Sequence, residues 1–194
     1  MAFVQGYVLL PTNTYLAWKN AVSGNGYDAD GYYGDQCWDL TAEFWYNLGF
    51  GTGYPLTGPN HYASECWTVS RQANCGDKFD LVYNLSDVKQ GDIVVFNGTT
   101  ANPPGHIGFA DEDYNGSGYI KILGQNQGSG GTPPPVINPA GGTTANVNNL
   151  YVLSDFLGAF RYREWHGSTP TIQSKPAKSH FPWVLYARKL RNKR

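Results

Sequence analysis

The segment Asp28-Ala-Asp-Gly-Tyr-Tyr-Gly-Asp-Gln-Cys37-Trp-Asp39, running on into Leu40-Thr-Ala-Glu-Phe-Trp-Tyr-Asn47, constrains this chain more than any other. Thr41, Phe44, Trp45 and Leu48 recur at helical spacing and define one face that can be buried. Gly34 and Asp35 suit the start of that helix and Gly49 suits its end. Cys37 then falls in the first turn, where backbone N–H groups lack intrahelical partners and the helix dipole is positive. Both effects favour a thiolate, so the pattern marks Cys37 as a candidate nucleophile.

The flanking pattern places this helix in an α+β domain. Residues 12–23 read as a helix with Thr12 or Asn13 as cap and Gly24 as stop. An acidic loop covers 25–36, turn formers fill 49–62, and a short helix over 63–73 puts Ala63, Cys66, Trp67 and Ser70 on one face. Strands follow at Gly91–Phe96, His106–Ala110 and Tyr119–Leu123. The Gly/Pro/Asn-rich stretch 124–149 has little periodicity, which suits a binding segment or disorder, and strands resume near 150–153 and 156–163. The catalytic domain is expected over 1–165, with a Ser/Pro/Lys-rich linker at 166–180 and a short aromatic and basic extension at 181–194. Helices first and antiparallel strands after, with 24 glycines and 12 prolines for turns, argue against a helical bundle.

Charge is unevenly placed. Residues 188–194 carry five of the 14 basic groups, leaving nine against 15 acidic groups in residues 1–187, a balance of −6 that argues against a nucleic-acid-binding body. The basic run beside Phe181, Trp183 and Tyr186 is either a solvated end or a contact for an anionic polymer, a membrane surface or a protein partner. Aromatic residues make up 15% of the chain, and packing is the commoner use of such a fraction, with a groove for a polymer as the rival. A Cys66–Cys75 bond is open, but two free thiols are favoured because nothing marks an oxidising compartment. No basic and apolar leader opens the sequence, and no stretch approaches the roughly 18 apolar residues of a membrane span.

A lone cysteine is usually a small buried hydrophobe, which is the expectation for Cys66 and Cys75. Cys37 differs because His106 opens a strand downstream and Asn126 follows the end of the next one, in Leu123-Gly-Gln-Asn-Gln127. Cysteine on a helix, then histidine and asparagine on neighbouring strands, is the Cys-His-Asn order of papain-like hydrolases. His61, His166 and His180 stand among turn or linker residues and read as solvated surface groups.

Gln36-Cys37-Trp-Asp-Leu, Gly91-Asp-Ile-Val-Val-Phe, Gly105-His106-Ile-Gly-Phe and Gly124-Gln-Asn126-Gln together resemble the CHAP domain. That is the cysteine, histidine-dependent amidohydrolase/peptidase domain of bacteriophage lysins and bacterial wall enzymes. The resemblance covers about residues 10–165. The related NlpC/P60 enzymes set their cysteine in an Asp-Cys-Ser context that is absent here. The resemblance implies a papain-like fold, with N-terminal helices packed on an antiparallel sheet. It also implies cleavage of a peptidoglycan amide, either N-acetylmuramoyl-L-alanine or a D-Ala–Gly link. Cys37 would be the nucleophile, His106 the general base and then acid, and Asn126 the residue orienting the imidazole. The Cys37 backbone N–H, with the Gln36 side chain, would stabilise the oxyanion. Staphylococcal phage lysins of this family carry Glu-Gln-Asn where this chain reads Gly124-Gln-Asn126, so stabilisation of charged His106 is expected to be weaker.

The acidic loop has a spacing of its own. With Asp28 at position 1, Asp30, Tyr32, Gly34 and Asp39 occupy 3, 5, 7 and 12, near the EF-hand ligand pattern. Tyr33 stands where that pattern has its invariant glycine, and Asp replaces Glu at 12, so a plain EF-hand is not expected. Acidic clusters are more often simply solvated. Calcium-binding CHAP lysins carry a very similar loop, and that resemblance implies Ca2+ held by Asp28, Asp30 and Asp39 with the carbonyls of Tyr32 and Gly34. The resemblance further implies a phage lysin, waiting in the host cytoplasm until lysis or carried on the virion tail, and acting on the cell wall. The rival class is a non-catalytic virion or wall-binding protein on the same scaffold, for which Cys37, His106 and Asn126 would have no use.

Overall fold

Two apolar runs, Ile93-Val-Val-Phe96 and Ile107–Phe109, are rich in the β-branched and aromatic residues that suit strands buried on both faces. They form the centre of a six-stranded sheet in the computed structural model, which describes residues 3–73, 77–100, 102–127, 141–142, 144–152 and 155–167. In chain order the elements are β1 (Phe3–Gln5), α1 (Tyr15–Val22), β2 (Gly26–Asp28), β3 (Gly34–Asp35), α2 (Cys37–Asn47), α3 (Glu65–Gln72) and β4 (Phe79–Val82). Then come β5 (Ile93–Phe96), β6 (His106–Ala110), β7 (Tyr119–Gly124), β8 (Gly141–Gly142), β9 (Asn146–Val152) and β10 (Phe156–Tyr162). The main sheet runs β4-β10-β5-β6-β7-β9 with antiparallel neighbours throughout. Two short parallel pairs, β1 with β2 and β3 with β8, pin the acidic loop at both ends.

Strand alternation sorts the core into two clusters. Ile93, Val95, Ile107, Phe109, Leu123, Phe160 and Tyr162 join the helices on one face. Val94, Phe96, Ala110, Ile120, Ile122 and Ala159 pack with Val82 and Val88 on the other. On the helical face the aromatics pack into a core. Phe44 of α2 meets Trp18 at 5.1 Å, Phe109 edge-on at 5.3 Å and Trp165 at 4.6 Å between ring centroids. Trp45 stacks on Phe79 at 4.5 Å. Packing therefore accounts for much of the aromatic content.

The helices form close to where the sequence puts them. The cap of α1 is Thr14, one or two residues inside the expected start at Thr12 or Asn13, and its hydroxyl accepts from the Ala17 N–H at 3.1 Å. Tyr15, Trp18 and Val22 are its buried stripe. In α3, Cys66, Trp67 and Ser70 are buried as expected; Cys66 is a free thiol, while Cys75 lies outside the described residues.

Three expectations need correction. Residues 79–82 form an edge strand that the pattern had left unassigned, paired with β10. Strand β9 begins at Asn146, inside the stretch 124–149 expected to lack regular structure, because pairing with β7 supplies what local propensity lacks. His166 is not a solvated linker residue: it ends a 3-10 turn over Arg163–His166, and its Nε2 lies 3.5 Å from buried Asp92. Asp92, of the Gly-Asp motif, is fully buried and takes a two-pronged contact from Arg161 at 2.9 and 2.7 Å. The rest of the expected linker and the 181–194 extension lie outside the described residues. No helix among the described residues is long and apolar enough to cross a membrane.

Candidate active site

Cys37 is the first residue of α2, and Gln36 is its N-cap. The capping contact runs backwards from the third helical residue: the Asp39 carboxylate accepts from the Gln36 N–H at 2.8 Å and from the Ala29 N–H at 2.9 Å. One buried carboxylate thus fixes both the helix start and the loop before it. The helix lies against β6, the strand that His106 opens, and the Ile107 backbone N–H there favours the Cys37 thiolate. That packing sets the thiol beside the peptide that carries His106.

Backbone geometry aims His106. Gly105, immediately before it, has φ +73°, and a Cβ there would lie 2.4 Å from the Phe96 carbonyl oxygen. The Asn102 side chain donates to the Gly105 carbonyl at 2.9 Å and holds the Pro-Pro-Gly turn closed. His106 pairs with Phe96 across the strands and is fully buried. Its Nε2 lies 2.9 Å from the Gln127 Oε1.

The three amides after β7 each have a separate task. Gln125 accepts from the Tyr27 N–H at 2.8 Å and donates to the carbonyls of Tyr27 and Gln36, tying acidic loop and helix start to the sheet. Asn126, with φ +48°, donates to the Gln36 Oε1 at 2.6 Å. The Gln36 Nε2 in turn donates to the Tyr33 carbonyl at 2.7 Å. Gln127 faces His106. Sequence reasoning assigned the orienting role to Asn126 and overlooked Gln127, although a Gln-Asn-Gln run closing a buried strand was itself a signal.

The electrostatics correct one expectation. Burial pushes the Cys37 thiol up to about 11, with the Asp39 charge adding to it, against the Ile107 N–H and the helix-start N–H groups. Burial pushes His106 down to about 4, opposed by the Gln127 contact. Desolvation at the pair thus opposes the thiolate that a helix start alone favours.

Beside this pair the carboxylates of Asp28, Asp30 and Asp39 converge, with ligand oxygens all within 4.8 Å of one another. Burial and the neighbouring charges of Asp30 and Asp28 raise Asp39 to about 8, against the Gln36 and Ala29 N–H groups, and burial raises Asp30 too. The Asp28 Oδ1 is buried with no hydrogen-bond partner. Tyr33 adopts φ +64° where the EF-hand pattern has glycine, and Gly31 and Gly34 are also left-handed, so the loop coils back on itself. Three mutually repelling carboxylates with a buried orphan oxygen fit a hard cation.

The chain is 36% identical over 118 residues to the D-alanyl-L-alanine endopeptidase of Streptococcus phage B30, a match over 59% of this chain and 25% of that protein. This chain therefore spans about a quarter of that relative's length. The crystal structure of the endolysin LysIME-EF1 superposes with a TM-score of 0.57 at 24% identity, covering 79% of this chain and 65% of that one, which shows a shared fold. The CHAP domain model matches residues 24–126, just over half of the chain and the whole span from the acidic loop through Cys37 and His106 to Asn126, and the chain belongs to the CHAP domain family.

Proposed function

We propose that this protein hydrolyses an amide bond of bacterial peptidoglycan, with Cys37 as nucleophile and His106 as general base and acid. The observation that carries the proposal is the placement of Cys37 at the start of a helix that packs on β6, the strand that His106 opens. His106 takes the thiol proton as sulfur attacks the scissile carbonyl carbon. The Cys37 backbone N–H, at the helix start, and the second amide proton of Gln36, whose first goes to the Tyr33 carbonyl, would face the developing oxyanion. Collapse of the tetrahedral species breaks the C–N bond, and His106 hands its proton to the leaving amine. Water, deprotonated by His106, then cleaves the thioester to a carboxylate and restores the thiol.

The phage relative's name, D-alanyl-L-alanine endopeptidase, favours a D-alanyl peptide link over the muramoyl amide as the bond cut. A calcium ion fits the proposal as the cation of the acidic loop, held by Asp28, Asp30 and Asp39 with carbonyls of Tyr32 and Gly34. Bound there, it would supply charge compensation beside the nucleophile and brace the loop that enters α2. The wall is the site of action, reached from the host cytoplasm at lysis or from the virion tail. The basic run 188–194 is proposed to add a contact with anionic wall polymer or virion proteins.

Digestion of purified peptidoglycan followed by mass analysis of the fragments tests the bond. New D-alanine carboxyl termini with free L-alanine amines are expected. Free muramoyl lactyl groups would move the proposal to the amidase.

A further inference from the structure

We infer that Gln127 is the positioning residue for His106: its side-chain carbonyl holds the imidazole in the Nε2–H tautomer, leaving Nδ1 as the base toward Cys37. This rests on the reading of His106 as the base for Cys37.

The direction of the Gln127 amide follows from its other contacts. Its Nε2 donates to the Ile122 carbonyl at 2.8 Å and to the Asn146 carbonyl at 2.8 Å. Both amide protons are thereby committed to carbonyls that can only accept. The atom 2.9 Å from the His106 Nε2 is thus the carbonyl oxygen, which can only accept in its turn. The proton of the neutral ring must sit on Nε2, and the lone pair on Nδ1. A glutamine anchored on two strands, β7 and β9, sets which nitrogen can act as base.

Gly124 makes room for this arrangement. A Cβ at 124 would lie 2.7 Å from the Gln127 Oε1, 3.2 Å from its Cδ and 3.3 Å from the His106 Nε2. Position 124 and the Gln127 amide therefore compete for the same space against the imidazole. Gly124 and Gln127 act as one unit, in which an acceptor arrives from three residues downstream because position 124 carries no side chain. The acceptor is neutral, and this agrees with an imidazole that stays uncharged at rest.

The test compares full-length wild type, Gln127→Met, Gln127→Ala, Gly124→Ala and the Gly124→Ala/Gln127→Ala double variant. Turnover of purified peptidoglycan, thermal midpoint and the imidazole 15N NMR pattern are the readouts. In the wild type, His106 is expected to show a single Nε2–H tautomer. Gln127→Met keeps the length of the side chain but not its acceptor. It should mix the tautomers and lower kcat roughly a hundredfold with KM within about twofold. Gly124→Ala should lower kcat alone yet add nothing in the Gln127→Ala background, because the group its methyl displaces is already gone. An Nδ1–H tautomer in the wild type overturns the inference whether or not any variant folds. So does Gln127→Met with wild-type kcat, or a loss that follows the thermal midpoint while the tautomer is unchanged. If the wild type leaves peptidoglycan intact, it is the hydrolase reading that fails, while the NMR pattern still judges Gln127 separately.

Discussion

The Asp39 carboxylate closes on the Gln36 backbone N–H at 2.8 Å, two residues from the nucleophile on one side and inside the acidic cluster on the other. One side chain therefore serves as helix cap and as the inner wall of the acidic cluster. Whatever binds the cluster acts directly on the turn that presents Cys37.

Removing calcium should lower both the thermal midpoint and activity, and calcium but not magnesium should restore them. Magnesium's demand for near-octahedral geometry with retained water suits a coiled all-protein loop poorly. At free calcium a hundredfold above Kd the stabilisation is about 2.7 kcal/mol. Asp28→Ala should abolish the calcium response while leaving the calcium-free protein no less stable, since it removes only a repelling, unpartnered carboxylate. Asp39→Ala should also cost about 1 kcal/mol without calcium, through the lost cap. Differential scanning calorimetry with and without chelator checks both, and an unchanged midpoint on chelation contradicts the cation site.

Two buried groups should impose opposite pH dependences on stability. Burial lowers His106 to about 4, so its contribution is complete above the ordinary value near 6.5 and is lost as pH falls toward 4. Burial raises Glu43 to about 7, against the Val8 N–H that it accepts, so its contribution is complete below about 4.5 and is lost as pH rises to 7. Each spans about 3 kcal/mol, and in the wild type they largely offset one another between pH 5 and 7. Glu43→Gln should therefore stabilise at pH 8, change little at pH 4.5, and uncover the acid-side loss due to His106. Urea titrations of both proteins at saturating calcium measure this; parallel pH curves would contradict it.

Gly105→Ala should destabilise the fold and depress activity together. Its Cβ would meet the Phe96 carbonyl oxygen at 2.4 Å in a left-handed conformation, on the residue that aims His106. A cost of about 1–3 kcal/mol is expected. Phe44→Ala, remote from the chemistry and fully buried among Trp18, Phe109 and Trp165, should cost about 3–5 kcal/mol and leave the kcat of the folded fraction intact. Chemical denaturation paired with turnover per folded molecule separates the two cases.

What could be read from the sequence was what local pattern encodes. The α2 stripe, the Ile93–Phe96 run and the strand opened by His106 carry their periodicity in adjacent residues, and they stand where expected. Strand β9 was hidden because Asn146-Val-Asn-Asn is a poor strand by propensity and forms by pairing with β7, for example Val147 opposite Leu123. Spacing and the family resemblance brought Asp28, Asp30 and Asp39 together, but neither showed that Asp39 is buried, and burial is what raises it. His166 looked like linker because its partner, Asp92, lies 74 residues earlier. Gln127 escaped notice for the same reason: the Asn146 carbonyl that helps to fix its amide comes from another strand.

The central claim is that Cys37 forms and breaks the covalent bond to the wall peptide. Release of free amino groups from purified peptidoglycan, followed side by side for the wild type and Cys37→Ala at equal folded concentration in calcium, tests it most directly. Steady release by the wild type and none above background by Cys37→Ala are expected, with unchanged thermal midpoints. Amine release by Cys37→Ala at a rate near the wild type's would contradict it.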